Sequence, residues 1–268
     1  MRQLRLELTL EPGLDSGPVT GVTGLTAVPG LAPIADRVAD PATSMDELAE
    51  LLSQAAALVA VHPGPAALEL DAEPAPDDLD AVARSAGFEP TRTLLQMRRS
   101  LPVPSSDRGR PPADAPPLRA FRPGIDDDAW LAVNNRAFAW HPEQSGWTRA
   151  HLAARMAEPW FRADGFLVHD AAPELVGDPA TIDAFCWTKI HVEEDPPIGE
   201  IFVIGVDPDA HGKGLGRALT LAGLDWLAEQ GLTVGMLYVE ADNHAAVHLY
   251  RELGFTEHLV HRWWRTRP

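Results

Sequence analysis

The chain of 268 residues is longer than a typical single domain of about 100 to 200 residues, which favours two domains over one core. Its hydrophobic share of 45% and charged share of 23% exclude a disordered or fibrous protein. The formal net charge of -17 argues against nucleic acid and anionic membranes as partners and leaves a small-molecule substrate. We expect a monomer.

The cysteine content predicts a reducing, cytoplasmic location, because the single Cys186 cannot form an internal disulfide. Its apolar neighbours Phe185 and Trp187 favour a small buried side chain over a thiol nucleophile. Residues 1–5 are not followed by an uninterrupted apolar segment, and no stretch is long enough to cross a bilayer. Secretion and membrane insertion are therefore not expected.

Residues 101–117 are rich in proline and small polar residues, which predicts a semi-extended linker between a domain at 1–100 and a domain at 118–268. Near the end of each half the sequence indicates a helix that stops at a glycine, then an aromatic residue and a strand. Gly87-Phe88 and Gly254-Phe255 mark these two places. This internal similarity predicts a duplicated fold.

The second half alternates between helical and strand patterns, as α/β proteins do. The segment from Glu200 to Val206 is apolar and β-branched, which indicates a buried central strand. In chain order we predict helices at 126–135 and 148–156, strands at 166–168, 184–187 and 200–206, a helix at 214–230, a strand at 235–240, a helix at 243–253 and a strand at 259–265.

A glycine-rich segment, residues 206–217, lies between the predicted central strand and a long helix. Its glycines let successive backbone N–H groups turn inward, and the helix N-terminus adds positive potential. Lys213 and Arg217 supply cations in an acidic chain, so the segment predicts an anion-binding loop. A Rossmann loop and a Walker loop fit poorly, because the strand order differs and Gly214 follows Lys213. A structural glycine turn remains the alternative.

The strand followed by Lys213-Gly214-Leu215-Gly216 resembles the pyrophosphate loop of GNAT acetyltransferases, and residues 238–255 resemble the second half of their cofactor site. The resemblance implies an α/β fold class of two tandem GNAT-like domains, each with a mixed central sheet flanked by helices. The N-terminal domain is expected to be degenerate and shortened. Acetyl-CoA is implied as co-substrate, with no metal. His211 and Gly212 depart from the Gln or Arg that many such loops carry.

A narrower resemblance, to the mycothiol synthase family, rests on four segments: residues 134–144, 187–189, 199–206 and 237–243. That resemblance implies acetylation of the cysteinyl amine of cysteinyl-glucosaminyl-inositol. Two alternatives stay open: a GNAT enzyme acting on another primary amine, such as a protein N-terminus or an aminosugar, and an acyl-CoA-binding sensor without turnover.

The resemblance also assigns site residues. Cofactor binding is expected from Ile204, Gly205, Val206, His211, Gly212, Lys213, Gly214, Leu215, Gly216, Arg217, Asn243, His244, Ala245, Ala246, Val247 and His248. The acceptor is expected to contact Asp36, Asp164, Lys189, Glu200 and Tyr238.

Acyl transfer to an amine needs a base, a donor to the thioester oxygen and an acid for the leaving thiolate. Glu200, at the start of the central strand, is the candidate base, acting directly or through a water molecule. The resemblance to GNAT enzymes implies that Val206 directs its N–H at the thioester oxygen, which a bulge at Gly205 would free. Tyr250 is the candidate acid.

The first half departs from the family pattern. Between residues 58–63 and 66–70 there is no room for a glycine loop and helix, and Ala83 occupies the place that matches Tyr250. A second acetyl-CoA site in this half is therefore in doubt.

Overall fold

The computed structural model describes residues 3–10, 28–40, 42–61, 66–75, 78–109, 117–140, 144–171 and 181–266. The chain divides into two compact units. Unit 1 comprises Met1–Gln96, Val239–His244 and Glu257–Pro268, and unit 2 comprises Met97–Tyr238 and Ala245–Thr256. Within the described residues, no helix is both long enough and apolar enough to cross a membrane.

The described residues of unit 1 form the following strands and helices, wholly or for the greater part. They are β1 (Gln3–Leu10), α1 (Leu31–Ala39), α2 (Met45–Ala60), β2 (Ala66–Glu73), α3 (Leu79–Ser85), β3 (Phe88–Ser100) and β9 (Thr256–Thr266). The strand order is β1-β2-β9-β3. The ladder of β2 with β9, in which Leu70 lies opposite Trp264, is the reason that the C-terminal strand belongs to unit 1 rather than to the predicted second domain. Trp264 is fully buried in this unit's core, and its Nε1 donates to Asp80 at 2.8 Å.

Unit 2 contains β4 (Leu118–Ala120), α4 (Asp127–Ala137), α5 (Arg149–Met156), β5 (Phe166–Asp170), β6 (Ile182–His191), β7 (Ile198–Val206), α6 (Leu215–Glu229), β8 (Val234–Glu240) and α7 (His244–Glu252). The strand order is β8-β7-β6-β5-β4. The β7–β8 pair is parallel and the other pairs are antiparallel, so the sheet is mixed. The predicted helices and strands of this half are all present, although β6 extends beyond the predicted end at Trp187.

The start of the predicted linker packs into unit 2 instead of crossing solvent. Leu101 and Val103 are buried, and the Leu101 N–H donates to the Thr233 carbonyl at 2.8 Å. The Arg108 guanidinium binds the Asp225 carboxylate on α6. Residues 110–116 of this segment lie outside the described residues.

The internal similarity between the halves holds at the level of local structure. Gly87 follows α3 with φ +85, and Gly254 follows α7 with φ +76, so both glycines take the left-handed conformation that ends a helix. Strands β3 and β9 begin directly afterwards. The two counterparts Ala83 and Tyr250 are both buried. Duplication of the whole domain stays a prediction.

Asp126, at the start of α4, ties this helix to strand β4. Its carboxylate accepts hydrogen bonds from the Arg119 guanidinium at 2.6 Å and from the Arg122 guanidinium at 2.7 Å. Burial by itself raises the pKa of this carboxyl, but the bonds from Arg122 and Arg119 outweigh burial and hold the pKa well below its usual range. Asp126 therefore stabilises the fold as a carboxylate, and that contribution is lost as the pH falls below its unfolded pKa, about 4, toward the lower folded value.

Asp126→Asn is expected to lower the free energy of unfolding at neutral pH by about 2 kcal/mol, because it removes the charge that both guanidinium groups bind, although Arg119 keeps Asp170 and Arg122 is half exposed. The difference from wild type should shrink as the pH drops below about 4, because the Asp126 carboxyl of the unfolded chain then binds a proton that the folded chain, with its lower pKa, does not. Asp128→Asn is the control, since Asp128 pairs with Arg149 where both side chains are largely exposed. Urea unfolding at several pH values measures both, and equal losses would contradict the prediction.

Candidate active site

Strand β7 carries a bulge at Phe202. In its antiparallel register with β6, Ile201 lies opposite Thr188, whereas Val203 lies opposite Trp187, so Phe202 is an extra residue. A bulge places two successive residues on one side of a strand and thereby inverts the alternation of the side chains that follow.

The bulge makes the two halves of β7 expose different residues to α6. Before it, Ile201 faces α6, with its Cδ1 2.7 Å from where a Cβ on Gly223 would lie. After it, Val206 faces α6, with its Cγ2 4.0 Å from where a Cβ on Gly216 would lie. Glu200 alternates with Ile201 and faces the opposite side of the sheet. The side chains of Glu200 and Val206 therefore lie on opposite faces of the sheet.

Gly205 is required by packing rather than by a bulge. Its register with Phe185 is regular, and a Cβ would lie 2.8 Å from the Phe185 ring and 3.3 Å from the Phe138 ring. The prediction of a bulge at this position is wrong, because the irregularity lies at Phe202.

Strands β7 and β8 separate toward their carboxyl ends. Their parallel register runs from Gly199↔Gly235 to Ile201↔Leu237, while β7 continues to Val206. In the described residues, the β8-facing edge of β7 beyond Ile201 therefore has no strand partner. Backbone groups on this open edge are available to a ligand.

The Val206 N–H points to the open edge. The next N–H, of Asp207, donates to the Asp183 carbonyl at 2.7 Å, toward β6. Successive N–H groups of a strand point to opposite edges, so the Val206 donor is directed away from β6. The Val206 carbonyl follows the same direction and accepts from His211 Nε2 at 3.1 Å. This orientation is the one expected for the donor to a thioester oxygen.

The predicted anion-binding loop forms a cradle at the N-terminus of α6. The Asp207 side chain accepts from the Asp209 N–H at 3.0 Å and shapes the turn Pro208–Ala210. Gly212 and Gly214 have φ of +79 and +78, conformations that L side chains rarely adopt. Gly214 begins α6 without a side-chain cap, which leaves the N–H groups of the first helical turn to a ligand.

The two cations of this loop have different surroundings. Lys213 is exposed beside the cradle. The Arg217 guanidinium binds the Glu252 carboxylate, which also lies 3.3 Å from His248 Nε2. A phosphate contact by Arg217 therefore requires the ligand to replace or share Glu252.

Helix α7 lies beside the first turn of α6. The Leu249 Cδ2 lies 3.7 Å from where a Cβ on Gly216 would be placed. Unit 2 contains most of the predicted cofactor residues: Ile204, Gly205, Val206, His211, Gly212, Lys213, Gly214, Leu215, Gly216, Arg217, Ala245, Ala246, Val247 and His248. Asn243 and His244 belong to unit 1, and the cofactor roles of all these residues stay predictions.

The Tyr250 phenol is buried on α7, packed against the Phe255 ring at 5.8 Å between centroids. Burial raises its pKa, and the Cys186 thiol contributes in the same direction. Cys186 lies opposite Ile204 in the β6–β7 register. Tyr250 therefore remains protonated at neutral pH, as a proton donor must be.

Cys186 is buried within the sheet layer and not exposed to a substrate. Burial strongly raises the pKa of its thiol. A Cβ on Gly223 of α6 would lie only 2.7 Å from the sulfur, so the helix covers it closely. These surroundings fit the small buried side chain rather than the nucleophile.

Glu200 is buried and held by a histidine. Its Oε2 lies 2.7 Å from His191 Nε2, and His191 Nδ1 lies 3.0 Å from Glu193 Oε1. The hydrogen bond to Glu200 raises the pKa of the His191 ring, burial opposes this, and Glu193 adds to it. Glu193 is largely exposed, so the three side chains lead from the buried carboxylate to solvent.

The predicted acceptor residues are partly brought together. Lys189 lies opposite Glu200 in the β6–β7 register, with its ammonium 5.4 Å from the Trp160 ring and 5.9 Å from the Phe202 ring. Tyr238 on β8 is 40% exposed and therefore accessible to a ligand.

The other two predicted acceptor residues are Asp164 and Asp36. Asp164 pairs with Arg162 and accepts from Trp226 Nε1 at 3.4 Å. Asp36 is exposed on α1 of unit 1, and its part in the site stays a prediction.

The sequence interpretation missed His191 and Glu193. The signal was available in principle, because His191 follows Lys189 at the spacing that shares a face of a strand. It would have required extending β6 beyond Trp187. Among the described residues, no group of three or more His, Cys, Asp or Glu side chains is arranged to hold a metal ion.

Comparison with known proteins places this site in a family. The family model described as "Acetyltransferase (GNAT) family" matches residues 135–255. A mycothiol acetyltransferase of Salinispora arenicola is 52% identical over 184 residues, covering 68% of this chain and 57% of that protein. One of Nocardia farcinica is 50% identical over 176 residues, covering 65% and 56%. The chain thus spans less than two thirds of the length of these relatives.

Solved structures support the same fold. A GCN5-related N-acetyltransferase from Sphaerobacter thermophilus superposes with a TM-score of 0.53 at 22% identity, covering 70% of this chain and 56% of that one. The glucosamine N-acetyltransferase region of a fungal multi-domain β-N-acetylglucosaminidase gives 0.50 at 14% identity, covering 70% and 22%. The predicted GNAT fold is confirmed, and residues 135–255 match the GNAT acetyltransferase family.

Proposed function

We propose that this protein transfers the acetyl group of acetyl-CoA to the cysteinyl amine of cysteinyl-glucosaminyl-inositol. The observation that carries the proposal is the arrangement around β7. The Glu200 carboxylate lies on one face of the sheet, and the glycine cradle lies on the other. The open edge of β7 connects them. Identity of about 50% with mycothiol acetyltransferases supports the acceptor.

Acetyl-CoA supplies an activated thioester carbonyl. The N–H groups of the first turn of α6 and the exposed Lys213 fit its pyrophosphate, because backbone donors and a cation lie beside Gly212 and Gly214, which carry no side chain. The Val206 N–H on the open edge stabilises negative charge on the carbonyl oxygen during transfer.

Proton movement is divided between Glu200 and Tyr250. Glu200, directly or through water, takes the proton of the acceptor ammonium, so that the nitrogen can bond to the acetyl carbon. As the bond from that carbon to sulfur breaks, the buried Tyr250 hydroxyl gives its proton to the thiolate, and the second proton that the nitrogen loses on becoming an amide restores the phenol. Direct transfer of this kind needs no bound metal.

Lys189, held over the Trp160 and Phe202 rings, is placed to bind hydroxyl groups of the acceptor on the Glu200 face. Tyr238 is a further proposed contact of the acceptor, and acceptor contacts of Asp164 and of Asp36 stay predictions. The proposal includes a monomeric, cytoplasmic enzyme, in keeping with the net charge of -17 and the single buried cysteine.

A thiol-release assay with a panel of amines tests the substrate. Cysteinyl-glucosaminyl-inositol is expected to give a higher kcat/KM than a peptide N-terminus or glucosamine. Preference for either of those two would assign the enzyme to another acceptor. Binding of acetyl-CoA without turnover on any amine would identify the non-catalytic sensor.

Glu200→Gln is expected to lower turnover at least about 10-fold while leaving acetyl-CoA affinity near wild type, because the amide cannot accept the ammonium proton. The loss should be largest below the pH at which the free amine deprotonates. The pH profile of kcat/KM for the amine measures it. A wild-type profile in the variant would reduce Glu200 to a structural role.

A further inference from the structure

We propose that His191 is a positioning residue for Glu200, which it holds by one oxygen so that the other faces the acceptor amine. This inference rests on the proposed function. His191 Nε2 bonds to Glu200 Oε2 at 2.7 Å, and the remaining oxygen, Oε1, is left for the substrate.

The histidine ring is fixed from both ends. Its Nδ1 contacts Glu193 Oε1 at 3.0 Å, so each ring nitrogen faces a carboxylate. Only 15% of the His191 side chain and 8% of the Glu200 side chain are exposed. A ring held at both nitrogens has little freedom to turn, and it transmits that constraint to Glu200.

The electrostatic surroundings favour a ring that donates at both nitrogens. The bond to Glu200 is the largest cause of the raised pKa of His191, burial opposes it, and Glu193 supports it. Lys189, on the same face, acts in the lowering direction. When the ring is doubly protonated, it places a positive group at Glu200 Oε2 and leaves Oε1 for the acceptor.

Two substitutions separate the two contacts of the ring. The amide nitrogen of glutamine can occupy the place of Nε2 and keep the bond to Glu200, whereas that of asparagine occupies the place of Nδ1 and keeps only the bond to Glu193. His191→Asn is expected to lower kcat/KM for the amine about 10-fold or more, and His191→Gln less than about threefold. The KM for acetyl-CoA should be unchanged in both.

The matched control is His169, whose Nδ1 lies 2.5 Å from Asp183 Oδ1 on β5 and β6, outside the site. His169→Asn and His169→Gln should leave kcat/KM for the amine near wild type. Equal activities of His191→Asn and His191→Gln, whether both normal or both low, would overturn the positioning role.

A second readout does not depend on turnover. Titration of the His191 ring by NMR should give a pKa above the ordinary value in wild type, which falls in Glu200→Gln and falls less in Glu193→Gln. An unchanged ring pKa in Glu200→Gln would show that His191 and Glu200 do not interact and would overturn the inference. If wild type acetylates no amine while the ring responds as expected, the proposed function fails and the contact between His191 and Glu200 stands.

Discussion

Tyr250→Phe is expected to lower kcat about 100-fold, because phenylalanine keeps the ring but cannot protonate the departing thiolate. The ring lies against Phe255 and is buried, so the variant retains its packing and should fold. Acetyl-CoA affinity, measured by calorimetry, should stay near wild type. A loss in kcat with unchanged acetyl-CoA affinity, measured by steady-state kinetics, would assign the effect to the chemical step.

The decisive comparison for Tyr250 uses two thioesters that differ in the basicity of the leaving thiol. The more basic thiolate needs the proton more, so Tyr250→Phe should slow its transfer by the larger factor. Equal losses with both thioesters would show that Tyr250 positions the cofactor without donating a proton.

Gly214→Val is expected to weaken acetyl-CoA binding about 100-fold, which corresponds to about 2.7 kcal/mol. Gly214 has φ +78 at the start of α6, where a β-branched residue is strained and where its side chain would occupy the space of the pyrophosphate. Calorimetry measures the affinity and the number of sites, for which we expect one per wild-type chain.

Two variants control for strain. Gly231→Val imposes a similar conformation, φ +83, at the other end of α6, where a Cβ meets nothing within 4 Å. It should cost stability without changing acetyl-CoA affinity. Gly216→Val tests obstruction of the ligand without backbone strain, because a Cβ there makes only ordinary contacts with Leu249 and Val206 within the protein. Unchanged acetyl-CoA affinity in a folded Gly214→Val or Gly216→Val variant would show that the cradle does not bind acetyl-CoA.

Local features of the site are the part that the sequence predicts well. The glycines at 212 and 214 take positive φ, and the apolar run through Val206 forms a strand, because residue type and short-range pattern determine both. The sequence does not predict the non-local features. Phe202 carries no signal that β7 shifts register there, and only the three-dimensional arrangement pairs Arg217 with Glu252.

The same distinction explains the domain boundaries. The change in composition at 101–117 is real, but Leu101 and Val103 find apolar partners in unit 2. The final strand pairs with β2, almost two hundred residues earlier, as in the bond from the Leu68 N–H to Thr266 Oγ1. Strand partners so far apart in sequence are not encoded by local propensity.

Mass spectrometry of the product made from acetyl-CoA and cysteinyl-glucosaminyl-inositol tests the central claim most directly. The acceptor carries both an amine and a thiol, and the roles of Glu200 and Tyr250 predict one acetyl group on the cysteinyl nitrogen for each CoA released. Fragmentation assigns the acetylated atom. Release of CoA without an N-acetylated product, or acetylation of the sulfur, would contradict the account.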